Sequence, residues 1–302
     1  MQEINSISHF HQLLSLPGPL HPLVSVIHVA DIRPVKDVIW EGFFLNFYTI
    51  SLKRDIRAKG KYGHRYLDFD KGFMTFTSPR QLQSHIMPEE SSESDSGTGY
   101  VLLVHADFLL KSPLAEKVRY YGFFDYEIHE ALHLSEREEQ DMIALFQKIG
   151  TECQHVDNKT ESILLSQIEL ILNYSDRFYQ RQFITRKQVN IGVIHQLNDL
   201  LNTYFNNEKT VPKGLPVVSE LATQLAVSQR YLSDLLRSST GLNTQQFIHE
   251  IIIQKAKERL LGTNLTINEI AYSLGFEQPQ SFHKLFKSKT NQTPAAFRSA
   301  IN

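Results

Sequence analysis

One cysteine, Cys153, stands in 302 residues. It excludes a disulfide framework and any cysteine-based zinc cluster. No apolar run approaches the roughly 18 residues that a membrane helix needs, so no membrane partner is expected. The first residues, MQEINSISHF, lack a basic segment followed by an apolar one, so no secretory signal is expected either. There is no Walker loop and no GxGxxG, and with them go two common phosphate-binding devices. Neither sign of charge dominates, since the net is -2. A cytoplasmic protein is the expectation.

What is present is ordinary for a globular chain: 41% hydrophobic and 21% charged residues. At about 150 residues per domain, the length predicts two domains. Charge divides unevenly between them. Residues 190–302 hold 11 Lys and Arg against 8 Asp and Glu, a net of +3, and the rest carries -5. A basic C-terminal part beside an acidic N-terminal one points weakly to a polyanion.

Residues 1–135 read mostly as strands and turns. Val24–Ala30, Phe43–Ile50, Gly72–Thr77 and Tyr100–Val104 are short and rich in β-branched or aromatic residues. Ser91–Gly99 has no apolar residue and predicts a surface loop. Helical periodicity begins at Ser135, which forms a capping box with Glu138. Met142, Leu145, Phe146 and Ile149 then make one stripe. A second helix is predicted over about Thr160–Phe183. Ile163, Leu164, Gln167, Leu170, Ile171 and Tyr174 form one apolar stripe, and Leu165, Ile168 and Leu172 a second. Burial on both sides follows, within the domain core, against a second copy, or both. The polar stretch 180–188 reads as a linker. The expected division is 1–185, with β structure to about 135 and helices over 136–183, and then 190–302.

The C-terminal part repeats itself. Ser219–Val227 matches Asn268–Phe276 at an offset of 49 residues. After a one-residue insertion, Leu232–Arg237 matches Phe282–Lys287, and Phe247 matches Phe297. Each copy predicts two helices. The first carries a small residue, Ala222 or Ala271, where helices can cross closely. A turn follows at Ala226 or Gly275. The second helix starts after Ser228 or near Pro279, and proline suits a first helical turn. Thr266 and Glu269 make a further capping box. Between the copies, Thr244–Leu261 predicts a helix of about 27 Å packed on both. Reading heads on one face of DNA sit roughly 34 Å apart.

These residues resemble the AraC/XylS family of bacterial transcription regulators. The signature runs LATQLAVSQRYLSDLLRSSTG (Leu221–Gly241), FIHEIIIQKAKERLL (Phe247–Leu261) and INEIAYSLGFEQPQSFHKLFKSKTNQTPAAFR (Ile267–Arg298), about a quarter of the chain. Two positions depart from the pattern. Asn291 stands where the family usually has glycine, and asparagine is the next best residue for a left-handed turn. Gln254 stands where an arginine is frequent, so a phosphate or packing contact is expected to be absent there. The resemblance implies an α+β protein: an N-terminal cupin-like β-sandwich or barrel with helices, and an all-α domain of two helix-turn-helix modules joined by a linker helix. It implies a regulator, expected to be an activator, acting on double-stranded promoter DNA as a homodimer. A small-molecule effector and RNA polymerase are the further partners expected.

The recognition helices should cover about Gln229–Ser239 and Pro279–Lys289. Leu232, Leu235 and Leu236, like Phe282, Leu285 and Phe286, recur at core spacing. The opposite faces carry the polar residues. Gln229, Arg230, Ser233 and Asp234, with Gln278, Gln280, His283 and Lys284, are the expected base readers. Arg pairs with guanine, Gln with adenine, and Asp can accept from the cytosine amine or repel phosphate. Arg237, Ser281, Lys287 and Lys289 suit phosphate contacts. A candidate effector pocket would use Trp40, Tyr48, Tyr62, His64 and Phe76, for which an ordinary filled core is the alternative. His9 with His11, and His129 with His133, have ligand-like spacing without the residues that complete a site. No metal, cofactor or catalytic group is expected. The competing reading is a cupin-type enzyme or sensor whose helical module binds a protein.

Overall fold

The computed structural model describes residues 2–32, 42–54, 61–62, 65–66, 72–83, 98–110, 112–185, 187–206 and 214–299. The chain divides into two compact units, Met1–Gln182 and Phe183–Asn302. The first is rich in sheet and the second is helical.

In the first unit the strands are β1 (Gln2–Ile4), β2 (Val24–His28), β3 (Phe43–Leu45), β4 (Phe47–Arg54), β5 (Lys61–Tyr62), β6 (Arg65–Tyr66), β7 (Phe73–Thr77), β8 (Leu82–Gln83), β9 (Thr98–His105) and β10 (Leu132–His133). The helices are α1 (Ile7–Leu13), α2 (Ala106–Leu109), α3 (Leu114–Lys117), α4 (Glu136–Glu152) and α5 (Thr160–Thr185). Five strands form one antiparallel sheet in the order β10-β7-β4-β9-β2, with Ile50 of β4 opposite Leu102 of β9 and Phe76 of β7. β1, β3 and β8 form a second sheet, and β5 pairs with β6. Val101–Val104 are buried without alternation. That pattern belongs to a strand covered on both faces. α4 packs against β2 and β9 on one side, and Ile27, Val101 and Leu103 join Ile4, Ile7, Leu45 and Phe47 in a core cluster. Gly99 is needed at the start of β9. It holds φ at +135°, and a Cβ there would sit 2.0 Å from the Leu52 carbonyl oxygen.

The Ser135–Glu138 capping box forms, and Met142, Leu145, Phe146 and Ile149 are buried as their spacing predicts. Three expectations change. α1, α2 and α3 interrupt the region read as strands and turns. The loop expected at Ser91–Gly99 lies outside the described residues up to 97, while Thr98 and Gly99 already belong to β9. The stretch read as a polar linker is largely helical. α5 continues to Thr185, and α6 (Lys187–Asn206) begins one residue past Arg186. Its polar side chains are structural. Gln182 is buried, accepting from the His133 amide at 2.8 Å and donating to the Ala131 carbonyl at 3.1 Å. Arg181 pairs with Glu138 at 2.6 Å.

The second unit continues with α7 (Val218–Gln224), α8 (Gln229–Thr240), α9 (Thr244–Gly262), α10 (Ile267–Ser273), α11 (Pro279–Thr290) and α12 (Pro294–Ser299). α6 itself was not anticipated, although Val193, Leu197, Leu201 and Phe205 recur every fourth residue and are all buried. They join Leu221, Leu232, Leu236, Ile252, Ala256, Ile270, Phe282 and Phe286 in a single core. α9 is apolar around most of its circumference because α6, α8, α10, α11 and α12 all pack on it. Arg259 of α9 ties the unit together by donating to the Phe205 carbonyl and to Ser273 Oγ.

Candidate nucleic-acid interface

The repeat in the sequence is a repeat in backbone hydrogen bonding. At the end of α7 the amides of Ala226 and Val227 turn back to the carbonyls of Thr223 and Ala222 at 3.1 and 3.0 Å. At the end of α10 those of Gly275 and Phe276 turn back to Tyr272 and Ala271 at 2.9 and 3.1 Å. Both turns need a left-handed residue: Ala226 has φ +52° and Gly275 has φ +92°. Only glycine fits the second, because a Cβ would lie 2.1 Å from the Gly214 carbonyl oxygen.

The next helices stop alike but start differently. Ser228 caps α8 by accepting from the Tyr231 amide at 3.1 Å, and Pro279 opens α11. Gly241 ends α8 at φ +76° with its amide on the Arg237 carbonyl. Asn291 ends α11 at φ +58° with its amide on the Lys287 carbonyl, so the left-handed turn expected there forms without glycine. The Thr266–Glu269 capping box forms in front of α10. Hydrogen bonds from the Thr266 backbone and hydroxyl hold the Glu269 carboxyl below its usual pKa.

Leu232, Leu235 and Leu236 of α8 point into the core, as do Phe282 and Phe286 of α11, while Leu285 is half-buried. The opposite faces are polar and open. Gln229, Arg230 and Arg237 are exposed, and Ser233 and Asp234 are half-buried between them. Gln278, Gln280, Ser281, Lys284, Lys287 and Lys289 are exposed, and His283 is half-buried beside Phe282. The two faces differ in electrostatics. The Asp234 carboxylate accepts from Arg230 Nε at 3.1 Å and from Arg237 Nη1 at 2.8 Å. In α11 no acid intervenes among three lysines, and Lys289 Nζ reaches Glu250 of α9 at 2.8 Å. Beside that pair, His249 titrates below its ordinary value because of burial, with the Lys289 charge adding to it. Gln254, at the departure noted in the sequence, is exposed and donates to Glu258 at 3.3 Å.

Of the candidate pocket residues, Trp40 and His64 lie outside the described residues, and only the backbone of Tyr62 is described, in β5. Tyr48 and Phe76 come together. Both pack edge-on against Phe124, at 5.2 and 5.8 Å, and Phe76 lies tilted against Phe123 at 4.4 Å. Burial raises the Tyr48 hydroxyl's pKa. His11 is buried, its Nδ1 donating to the Pro17 carbonyl at 2.6 Å and its Nε2 accepting from Ser25 at 3.0 Å. Among the described residues no group of three or more His, Cys, Asp or Glu could hold a metal ion. No described helix is long and apolar enough to cross a membrane.

Two helices joined by a tight left-handed turn, with the second exposing a polar face, define a helix-turn-helix. A family model described as a helix-turn-helix domain matches residues 221–300. Residues 221–300 of this chain thus form a helix-turn-helix domain, and the first relatives they resemble are named HTH-type transcriptional regulators. The chain is similar to the uncharacterised HTH-type transcriptional regulator YfiF of Bacillus subtilis strain 168, 30% identical over 140 residues, 46% of this chain and 41% of that one. It is also similar to the Msm operon regulatory protein of Streptococcus mutans, 32% identical over 84 residues, 28% of this chain and 30% of that protein. Among solved structures, the C-terminal domain of the two-component response regulator yesN from Fusobacterium nucleatum aligns at 28% identity and a TM-score of 0.30. The match covers 35% of this chain and 98% of that one. The chain spans about two fifths of the length of YfiF.

Proposed function

We propose that the protein is a sequence-specific transcription regulator whose C-terminal unit carries two helix-turn-helix modules and lays α8 and α11 in successive major grooves. One observation carries this reading. Two helix pairs with the same turn hydrogen bonds share one core with α9, and each presents a polar second helix. α9, at 19 residues, is about 28 Å long and suits the roughly 34 Å spacing of major grooves on one face of DNA. Gln229, Arg230, Ser233, Gln278, Gln280, His283 and Lys284 read bases, because early and outward positions of such helices meet base edges. Arg237, Ser281, Lys287 and Lys289 meet phosphates and set register.

The regulator acts as an activator from the cytoplasm, contacts RNA polymerase, and catalyses no reaction. Its sheet-rich unit is a cupin-like sensor. A small-molecule effector there works only through different affinities for DNA-competent and incompetent arrangements. Two copies pair through α5. One face of that helix, with Leu164, Ile168, Ile171 and Leu172, is buried, whereas Ile163 and Leu170 on another face are 38% and 41% exposed. A dimer then offers four recognition helices to two half-sites.

The test is selection from genomic DNA with the purified full chain at fixed salt, with and without a small-molecule extract. Enrichment of a defined site containing two half-motifs supports the regulator, and an extract-dependent shift supports the sensor. A folded chain that enriches nothing under either condition contradicts the proposal.

A further inference from the structure

We infer that Asp234 is a positioning residue that fixes the Arg230 guanidinium for base reading and links it to the phosphate-contacting Arg237. The inference rests on the DNA-reading role proposed for α8. Arg230, Asp234 and Arg237 stand at i, i+4 and i+7, so they share one helix face. Both carboxylate oxygens are engaged, Oδ2 by Arg230 Nε at 3.1 Å and Oδ1 by Arg237 Nη1 at 2.8 Å. The carboxylate is sheltered, with 17% of its side chain exposed, while the arginines are 42% and 55% exposed. A half-buried acid is thus held under two outward guanidiniums.

The consequence is geometric. An arginine otherwise loses much rotamer freedom when it docks on a base. Holding its Nε on a carboxylate removes part of that loss before DNA arrives and aims the planar fork. With Nε committed to Asp234, a bidentate guanine contact uses the two Nη nitrogens. The acid itself is sheltered, with 17% of its side chain exposed, and each oxygen already accepts from an arginine, so its main office is to hold them. The second module supplies an internal contrast. The position matching Asp234 is Lys284, and the one matching Arg230 is Gln280. The arrangement is therefore particular to α8 and is not demanded by the helix-turn-helix backbone.

The experiment measures binding of the full chain to the site that the wild type selects, to that site with each base pair changed singly, and to unrelated DNA. The proteins are the wild type, Asp234→Asn, Asp234→Glu, Arg230→Ala and the double variant Arg230→Ala with Asp234→Asn. The expected result is that Arg230→Ala and Asp234→Asn each lose at least about fivefold discrimination at the same base pair. Asp234→Asn keeps or gains affinity for unrelated DNA, because a negative charge has gone. Asp234→Glu retains most of the discrimination, and the double variant is no worse than Arg230→Ala alone. A merely helix-stabilising acid would lower affinity for all DNA together, which overturns the inference. So does Asp234→Asn changing preference at a different base pair, which is the mark of direct reading. So does full discrimination in Asp234→Asn where Arg230→Ala loses it. If the wild type selects no site, the DNA-reading proposal itself falls, and this inference with it.

Discussion

The two helix pairs of the C-terminal unit have nearly the same backbone and different chemistry. Their turns make matching hydrogen bonds, and their second helices end in matching left-handed residues, Gly241 and Asn291. Yet α8 carries two arginines around one aspartate, a net of +1, and α11 carries three lysines, a net of +3. Backbone geometry is thus fixed by the needs of packing and turning, while the exposed face is left to vary. An arginine fork held by an acid suits discrimination. Lysines on flexible stems suit phosphate attraction, which depends on salt more than on sequence.

The largest effects are expected at the turns. Gly275→Ala places a Cβ against the Gly214 carbonyl at 2.1 Å and strains a positive φ, so the second unit should lose roughly 2–4 kcal/mol. Gly241→Ala, with a positive φ but nothing within 4 Å, should lose only about 1 kcal/mol. Urea unfolding monitored by helical signal separates them, and equal losses would show that the Gly214 contact is unimportant. The next largest effect is on recognition. Arg230→Ala should lose roughly 1–3 kcal/mol on the selected site with relaxed preference at one base pair. If affinity and preference both stay put, α8 does not read DNA through this residue. Lys287→Ala should weaken all sequences alike and lower the salt slope by about one, as seen in binding titrations across salt. A sequence-dependent loss there would make α11 a reader at that position. The smallest effect sharpens the turn comparison again. Ala226→Gly should stabilise the unit by roughly 0.5–1 kcal/mol, because alanine at φ +52° is held in a left-handed conformation. Destabilisation would mean that the Ala226 methyl contributes packing that outweighs this relief.

Much of this was legible in the sequence because it is carried by local rules. The capping boxes at Ser135 and Thr266, the turns at Ala226 and Gly275, and the inward leucines and phenylalanines need only neighbours within a helical turn. Asn291 could be expected to keep its turn for the same reason. α6 was missed although its buried residues recur every fourth position. The polar run before it reads by composition as a linker, whereas polarity there serves hydrogen bonds. Gln182 bonds the backbone around β10, and the buried Asn190 donates to the Phe183 carbonyl at 2.6 Å. The short strands β1, β8 and β10 carry too few residues for alternation to declare them. The role of Asp234 depends on which way three side chains turn, and spacing alone gives only that they share a face. For the aromatic residues of the sheet-rich unit, sequence pattern could not separate a pocket from a packed cluster. Tyr48 and Phe76 belong to packed rings around Phe124.

If α8 and α11 read DNA as proposed, they read two separate parts of one site. The most direct measurement is DNA selection by the Arg230→Ala chain beside the wild type under identical salt. One part of the selected motif should lose its preference at a base pair while the other part is unchanged. A motif unchanged throughout, or one weakened evenly across its whole length, would contradict that reading.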